Sequence, residues 1–209
     1  GNYMYEGDAP LVERRAAALA LDHAQLRELL GDADLRELLD ADAIDQLALE
    51  LQRLTPPHQI YHEDALHDLL LQLGDLTRQE IAARTRHEHV QSGDVEAWIE
   101  KLGQQRRIIE VRMAGEPRWI AAEDAARYRD ALGVVPPLGL PEAFLGDVAD
   151  ALGDLVSRFA RTHVPFQLEE VADRFGMGAA PVRAALQQLA DRGRVLDGEF
   201  LPREHGRQW

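Results

Sequence analysis

One order of apolar segments occurs twice in this 209-residue chain, and it constrains the fold more than any single residue does. Residues 58–134 show three segments with apolar residues at helical spacing, followed by two short β-rich runs joined by a turn. Residues 150–209 repeat that order. Short amphipathic helices must share a core, and a hairpin can cover its open side. The sequence therefore predicts a mainly α fold with two tandem winged-helix modules, each made of three helices and a β-hairpin.

The first copy contains the clearer local signals. Its helices are predicted at 65–73, 78–84 and 95–105, and its strands at 107–113 and 118–121. Thr77 and Glu80 match a capping box at the start of the second helix, and Asp94 is the predicted cap of the third. A turn over residues 114–117 joins the strands.

The second copy follows a connector that contains Pro and Gly. Its helices are predicted at 152–161, 168–175 and 180–192, and its wing at 194–201 with a returning strand at 207–209. The run Gly176-Met177-Gly178 is interpreted as a turn between helices, because no strand precedes it as a phosphate loop requires. The predicted division is 1–55 helical, 56–134 first module, 135–149 connector and 150–209 second module.

The N-terminal segment carries a leucine near-repeat. Leu26-Arg27-Glu28-Leu29-Leu30 is followed by Leu35-Arg36-Glu37-Leu38-Leu39, and each copy places leucines at helical spacing with charges opposite. A further amphipathic helix is predicted at 43–54. Because such short helices cannot bury their apolar faces alone, we expect this segment to pack on the next domain or on a longer parent. The chain begins with Gly1, and we expect it to be a piece of a longer protein.

The net charge argues against a protein whose main task is to hold a phosphate backbone. The chain carries 37 acidic and 23 basic residues, a formal net charge of -14. Counting along the sequence gives -7 for residues 1–55, -6 for 56–149 and -1 for 150–209. DNA-binding proteins need clustered Lys and Arg, so the last segment is the one least opposed to nucleic acid.

Composition excludes several kinds of chemistry. The chain has no cysteine, which removes disulfides, thiol nucleophiles and Cys-based zinc sites, and which fits a reducing compartment. Its apolar runs are far shorter than the roughly 20 residues that a membrane span needs. His58, His62 and His67 lie near each other, but zinc requires three or four converging ligands, so surface histidines are favoured over a metal site. No catalytic, cofactor-binding or metal-binding residue is predicted.

Paired acids and a basic helix face are the remaining candidates for chemistry. Glu123-Asp124 and Glu169-Glu170 are interpreted as first-turn helix acids favoured by the helix dipole, rather than as acid–base pairs. In the second module, a buried helical stripe would leave Arg and Gln side chains exposed. Arg and Gln suit base edges, and basic residues of a wing can reach phosphate. The candidate nucleic-acid contacts are Arg183, Gln187, Gln188, Arg194, Arg203 and Arg207, with ordinary solvated side chains as the alternative.

The first module presents the opposite charge. Its third predicted helix carries Asp94, Glu96 and Glu100, which would face phosphate with like charge. Trp98 is predicted to lie in the core. This module is therefore predicted to bind protein.

Several longer stretches resemble one helicase family. These are Tyr3 to Leu11, Glu13 to Leu19, Leu35 to Asp40, Arg118 to Gly133 and Gly198 to Phe200. They are similar to the large helicase-related (Lhr) proteins. The resemblance covers essentially the whole chain, and it implies a fragment that runs from the end of the helicase core into the C-terminal winged-helix region.

The resemblance also implies a function for the parent. Lhr proteins are bacterial superfamily 2 helicases that use ATP to track along DNA in the 3′→5′ direction, are linked to DNA repair, and have a C-terminal region associated with oligomer formation. ATP and Mg²⁺ would act in the parent motor, since neither a Gly-x-x-x-x-Gly-Lys-Ser/Thr loop nor an Asp-Glu-x-His box occurs here.

The resemblance and the residues together lead to one prediction and one alternative. We predict a non-catalytic accessory scaffold, whose partners are the rest of the parent and a second copy of the chain, with no membrane contact and a cytoplasmic, nucleoid-associated location. The alternative is a tandem winged-helix module that binds DNA directly through its second copy.

Overall fold

The computed structural model describes residues 40–88, 90–91, 93–198, 200 and 207–209. This part of the chain is mainly helical and has one two-stranded sheet, which confirms the mainly α character of the predicted fold. The leucine near-repeat and the other features predicted before residue 40 lie outside the described residues. No helix within the described ranges is long and apolar enough to cross a bilayer.

The predicted helices from residue 43 onward and the two strands of the first module agree with observed elements to within three residues. The helices are α1 (Ala41–Leu51), α2 (Glu63–Leu73), α3 (Arg78–Ala83), α4 (Asp94–Gln104), α5 (Ala125–Leu132), α6 (Ala151–Thr162), α7 (Leu168–Phe175) and α8 (Ala179–Asp191). The strands β1 (Ile108–Met113) and β2 (Glu116–Ala121) pair antiparallel. Short 3₁₀ turns occur at Pro56–His58, Ala122–Asp124 and Glu142–Phe144. Helix α5 was not predicted as an element.

Helices α2, α3 and α4 share one core with the hairpin, and we call these elements the first unit. Its most buried members include Leu66, Ile81 and Leu102, which lie on the apolar stripes of the three helices. Leu76, just before α3, exchanges two backbone hydrogen bonds with Trp119 of β2, at 3.0 and 2.7 Å. This pairing ties the start of α3 to the sheet.

The helix caps confirm one prediction and correct another. In α3, the backbone N–H of Thr77 donates to Glu80 Oε2 at 2.8 Å and that of Glu80 donates to Thr77 Oγ1 at 3.2 Å, so the capping box is present. The prediction that Asp94 caps α4 is wrong. Gly93, with φ of 102°, is the N-cap, and Asp94 lies in the first turn, where its carboxylate accepts from the backbone N–H of Gln91.

The hairpin contacts a different core with each of its faces. Its two-residue loop has φ of 49° at Ala114 and 85° at Gly115, the positive values that a type I′ turn requires. Ile108 packs into the first-unit core, whereas the alternate residues Ile109 and Val111 pack into the second core. The base of the hairpin therefore lies between the two cores, while Glu110, Arg112 and the loop residues 114–117 remain exposed.

Helices α6, α7 and α8 surround the second core, and together with the strand residues that follow they form the second unit. Phe166 exchanges backbone hydrogen bonds with Trp209 at 3.2 and 2.9 Å, in the position that the Leu76–Trp119 pairing holds in the first unit. Gly198 and Gln208 form an antiparallel bridge. Apart from this bridge, the described residues of the predicted second wing form no strand.

The two units are in direct contact. Helix α5 packs along α6, and Val134 and Leu140 of the chain between them are buried in the second core. Gly176, at the turn after α7, has φ of +63°, and a Cβ there would lie 3.0 Å from Ala114 Cα at the hairpin loop. Glycine therefore permits both the turn and the close approach of the second unit to the hairpin.

Candidate functional site

Helix α8 is the third helix of the second unit, and its two faces match the predicted pattern. Its buried residues are Val182, Ala185, Leu186 and Leu189. On the opposite face, Arg183, Gln187 and Gln188 are exposed. Helical spacing therefore identified the solvent face of this helix correctly.

A groove of about 300 Å³ lies beside the first half of α8, and we call it the α7–α8 groove. It brings together three of the predicted contacts, Arg183, Gln187 and Arg207, with the indole of Trp209. The lining residues are Gln167, Leu168, Glu169, Arg183, Gln187, Arg207 and Trp209. Guanidinium, amide and aromatic groups in one place can contact phosphate, a base edge and a base face, respectively.

The charge of this groove is mixed. Arg207 forms an ion pair with Asp197, and its guanidinium lies over the Trp209 ring, 5.9 Å from the centroid. Gln187 Nε2 donates to Asp191 Oδ1 at 3.0 Å. Because Glu169 also lines the groove, its two arginines are opposed by nearby carboxylates, which weakens the attraction for phosphate.

The structure separates the remaining candidates from this groove. Gln188 is exposed on α8 but does not line it. Arg194 lines a different, apolar groove together with Ile44 and Leu47 of α1. Arg203 lies outside the described residues.

The third helix of the first unit, α4, presents the acidic face that the sequence predicts. Glu96 and Glu100 are exposed, and Trp98 is half-buried against the first core. Lys101 is paired with Glu63 at 2.6 Å between Nζ and Oε1. This surface repels phosphate at the position where α8 offers arginine.

The largest feature that the sequence did not reveal is a buried ionic network between the units, which we call the junction. Asp75, from the segment between α2 and α3, is 4% exposed. Its Oδ2 is 2.8 Å from Nη1 of Arg118 on β2 and 2.9 Å from Nε of Arg174 on α7. Arg118 also donates to the backbone carbonyl of Arg174 at 2.7 Å. One carboxylate thus joins the first unit, the hairpin and the second unit.

Glu80 extends the junction from the capping box of α3. Its Oε1 and Oε2 accept from Arg174 Nη1 and Nη2 at 2.6 and 3.0 Å. Burial raises the pKa of the Glu80 carboxyl, but the hydrogen bonds from Arg174 and from the Thr77 backbone lower it further, so the net pKa lies below its usual value. Glu80 is therefore held as an anion that faces the second unit.

A second buried pair joins the start of α5 to α6. Asp124, 1% exposed, accepts from Arg158 in a bidentate arrangement at 2.6 and 2.9 Å. Arg127 Nη1 also donates to Asp124 at 2.6 Å. Glu123 and Asp124 do lie in the first turn of the 3₁₀ helix, as predicted, but the sequence did not predict that two guanidiniums would bind the Asp124 carboxylate.

Tyr128 links this pair to the junction. Its hydroxyl donates to Asp75 Oδ1 at 3.0 Å and accepts from the backbone N–H of Asp75 at 2.8 Å. Burial, and then the negative charge of Asp75, raise the pKa of this phenol well above its usual value. Gly74 is needed beside it, because a Cβ there would lie 2.7 Å from the hydroxyl oxygen.

The histidines have separate structural partners. His58 Nδ1 lies 2.8 Å from Thr55 Oγ1, and His62 Nδ1 accepts from the backbone N–H of Ala65 at the start of α2. His67 is buried, and its Nε2 lies 3.1 Å from Glu123 Oε2, so the expectation of a surface histidine is wrong for this residue. Among the described residues, no group of three or more His, Asp or Glu side chains is placed to hold a metal ion.

Only a faint signal in the sequence points to the junction. Arg118 lies in phase with Ile120 on β2, which places its side chain on the face that meets the second core. A basic residue at an inward strand position requires a buried acid, but the pattern does not identify which one.

The fold now defines a class of protein. Three helices and a hairpin around one core, with the residue before α3 paired to β2, are a winged helix. A protein family described as "Large helicase-related protein, winged-helix domain" matches residues 37–147, which include all of the first unit. The chain belongs to the large helicase-related (Lhr) family, as the sequence resemblance predicted.

Two curated relatives support this assignment. The chain is 44% identical over its full length to a Mycolicibacterium smegmatis protein named "Lhr helicase/ probable uracil glycosylase". It is 43% identical, over 93% of its length, to an Escherichia coli protein named "Lhr helicase/uracil glycosylase". It spans only 14% and 12% of the lengths of those relatives.

Proposed function

We propose that this chain is a non-catalytic arm of an Lhr-type helicase, in which two winged-helix units are held in a fixed relative orientation and used for protein contacts and assembly. The observation that carries the proposal is the junction, in which Asp75, Arg118 and Arg174 meet in a buried site between the units. The Phe166–Trp209 pairing, which repeats the Leu76–Trp119 pairing, supports a winged helix in the second unit.

The buried ionic contacts are better explained by a role in fixing the orientation of the units than by a contribution to the free energy of unfolding. Burying a charge is costly, so an ionic network often adds little net stability compared with apolar packing. Its geometry is demanding, however, and only one arrangement of the units satisfies all of its partners. One face of the first unit's hairpin packs into the second core through Ile109 and Val111, so that face is not available to a DNA duplex.

The rest of the proposed activity belongs to the parent. Under this proposal, ATP and Mg²⁺ act in a motor elsewhere in the parent, and the 3′→5′ movement on DNA and the link to DNA repair are properties of that larger protein. The names of both relatives combine a helicase with a uracil glycosylase, and this chain contributes the arm rather than either active site. The proposed location is the cytoplasm, at the nucleoid.

The scaffold role is tested in the full-length parent with Asp75→Ala. We expect the variant to hydrolyse ATP at the parental rate but to change the particle mass measured by light scattering and to unwind less duplex per ATP. The control is Asp68→Ala, which removes an exposed carboxylate from α2. A parental particle mass and parental unwinding in Asp75→Ala would refute the role.

Direct DNA binding by the second unit is the second candidate, and the α7–α8 groove favours it. Arg183, Gln187 and Arg207 converge there beside Trp209, as a recognition helix and its neighbouring strand would require. The net charge of residues 150–209 is only -1, so phosphate is less repelled here than elsewhere in the chain.

A matched pair of charge reversals tests this candidate in the isolated chain. Arg183→Glu alters the groove, and Arg161→Glu makes the same charge change at an exposed position of α6 outside it. If the groove binds DNA, Arg183→Glu weakens binding and lowers the slope of log K against log salt by about one, whereas Arg161→Glu has a smaller effect. Equal effects of the two reversals would rule out the groove.

A further inference from the structure

A small cavity lies beside the ionic contacts of the junction, and we call it the junction cavity. Its volume is about 60 Å³, it is largely enclosed, and three arginines line it, namely Arg84, Arg158 and Arg174. One water needs roughly 10–15 Å³ of such a volume, so the cavity has room for a small ion together with water.

Arg84 differs from the other two arginines in the groups that it contacts. It follows α3, and only 6% of the residue is exposed. Its Nη1 donates to the backbone carbonyl of Glu80 at 3.0 Å, and its Nη2 donates to Gln52 Oε1 at 2.7 Å. Both acceptors are neutral, and its buried Nε has no hydrogen-bond partner among the described residues. A buried cation in this situation is costly unless an anion compensates it.

The pKa values of the three guanidiniums follow the same division. Burial lowers the pKa of each one. Hydrogen bonds to Asp124 more than offset burial for Arg158, and those to Glu80 do so for Arg174, so both pKa values lie above their usual value. For Arg84 the effect of burial exceeds the attraction of Glu80, and the net pKa lies below its usual value. The surroundings of Arg84 therefore compensate its charge less than those of its neighbours.

The carboxylates of the cavity do not remove the positive excess. Asp75 and Glu80 line it together with the three arginines, which gives the lining a net charge of +1. Both carboxylates already accept hydrogen bonds from guanidinium groups of the junction. They are therefore engaged with other cations and are not ion-paired to Arg84.

The charged groups just outside the cavity leave this excess unchanged. Arg118 pairs with Asp75 and Asp124 pairs with Arg158, so they add one positive and one negative charge. Their outer partners Glu116 and Arg127 are partly exposed and again opposite in sign. The region around Arg84 thus carries one positive charge more than its carboxylates balance.

These features select the chemistry of a ligand. Pockets for organic ligands are typically about 300–1,000 Å³, so a cavity of this size excludes a nucleotide or a peptide. An excess of one positive charge is balanced by one monovalent anion. An N–H group of a buried guanidinium is a strong donor to such an ion.

We propose that the junction cavity binds one monovalent inorganic anion of the size of chloride, held by the guanidinium of Arg84. Arg84 belongs to the first unit and Arg174 to the second, so the ion would lie between the units and stabilise their contact. Binding to the folded chain alone raises its stability by mass action. This inference goes beyond the proposed scaffold role and does not depend on it, because the charge of the cavity is the same whatever the units are used for.

The position of the ion is tested with bromide, which replaces chloride and scatters X-rays anomalously. Crystals of the parental chain are soaked in sodium bromide, and data are collected at the bromine absorption edge. We expect an anomalous peak inside the junction cavity, in contact with the Arg84 guanidinium. Peaks at other sites only, with water in the cavity, would overturn the proposal.

Binding in solution is tested by thermal unfolding in two salts at equal ionic strength. Chloride can enter the cavity, whereas gluconate is too large. For a dissociation constant of about 10 mM, we expect about 150 mM chloride to raise the Tm by about 3–6 °C relative to gluconate. Equal Tm values in the two salts would mean that the cavity holds only water.

A pair of variants assigns the effect to Arg84. Arg84→Met removes the charge and keeps an unbranched side chain, so the two salts should give the same Tm. The control Arg161→Met removes an exposed arginine of α6 outside the cavity and should keep the parental difference. A difference that persists in Arg84→Met would show that the anion binds elsewhere.

The bromide measurement uses the parental chain, so it decides the proposal even if Arg84→Met does not fold. None of these results bears on the Asp75→Ala test of the scaffold role.

Discussion

The two units share an order of elements but leave different surfaces to solvent. In the first unit the hairpin contacts both cores, and α4 exposes Glu96 and Glu100. In the second unit α8 exposes Arg183 and Gln187 beside Trp209. The same order of helices therefore supports a unit with an acidic exposed helix and a unit with an open polar groove. Fold alone does not decide the partner, and the exposed residues do.

The largest predicted effect comes from breaking the contact between the units. Asp124→Ala removes the carboxylate that pairs with buried Arg158, and an uncompensated buried charge costs about 3–5 kcal/mol. Asp154→Ala removes the exposed partner of Arg127 and should cost at most about 1 kcal/mol. Urea unfolding of both variants measures the difference. Similar losses in the two would show that the Asp124 pair is not special.

A smaller effect sharpens the comparison at two aligned positions. Glu80 of α3 and Glu170 of α7 each accept from the backbone N–H at the start of their helix, Thr77 and Gln167 respectively. Only Glu80 also binds Arg174 across the junction. We expect Glu80→Ala to lower the free energy of unfolding by about 1–3 kcal/mol, and Glu170→Ala by no more than about 1 kcal/mol. Chemical denaturation of the two variants measures these losses. An equal loss of unfolding free energy in both would mean that the contact between Glu80 and Arg174 contributes nothing.

The smallest effect concerns pH and His163, beside the junction. Its ring stacks on Phe159 with centroids 3.6 Å apart, and burial, together with the charges of Arg174 and Arg84, holds its pKa below 6.5. Between the folded pKa and 6.5 the unfolded state binds more protons, so the free energy of unfolding falls as pH falls below about 6.5.

The variant His163→Phe keeps a ring on Phe159 and removes the titrating group. Its free energy of unfolding should depend less on pH below 6.5 than that of the parental chain, while the two should run parallel above pH 7.5. Identical acid dependence of the two chains would show that His163 does not contribute.

The helices of the separate units could be predicted well because the patterns that define them lie within short stretches of the sequence. Helical spacing located the buried stripe of α8, and a four-residue pattern located the capping box of Thr77 and Glu80. The prediction of Asp94 as the cap of α4 was wrong. Gly93, in the left-handed conformation, is the N-cap, and Asp94 is already the first residue of the helix.

The contact between the units could not be predicted because its partners are far apart in the chain. Asp75 is separated from Arg118 by 43 positions and from Arg174 by 99. No periodicity links such residues. The α7–α8 groove was half predictable, since helix phase exposed Arg183 and Gln187, whereas the Phe166–Trp209 pairing that brings Arg207 to them is a long-range contact.

The central claim, a fixed orientation of the two units, is tested most directly by a distance measurement between spin labels. Leu71→Cys on α2 and Gln188→Cys on α8 place one label on an exposed site of each unit. Pulsed electron paramagnetic resonance should give one narrow distance distribution, and adding Asp75→Ala should broaden it. A broad or multi-peaked distribution in the parental chain would contradict the account.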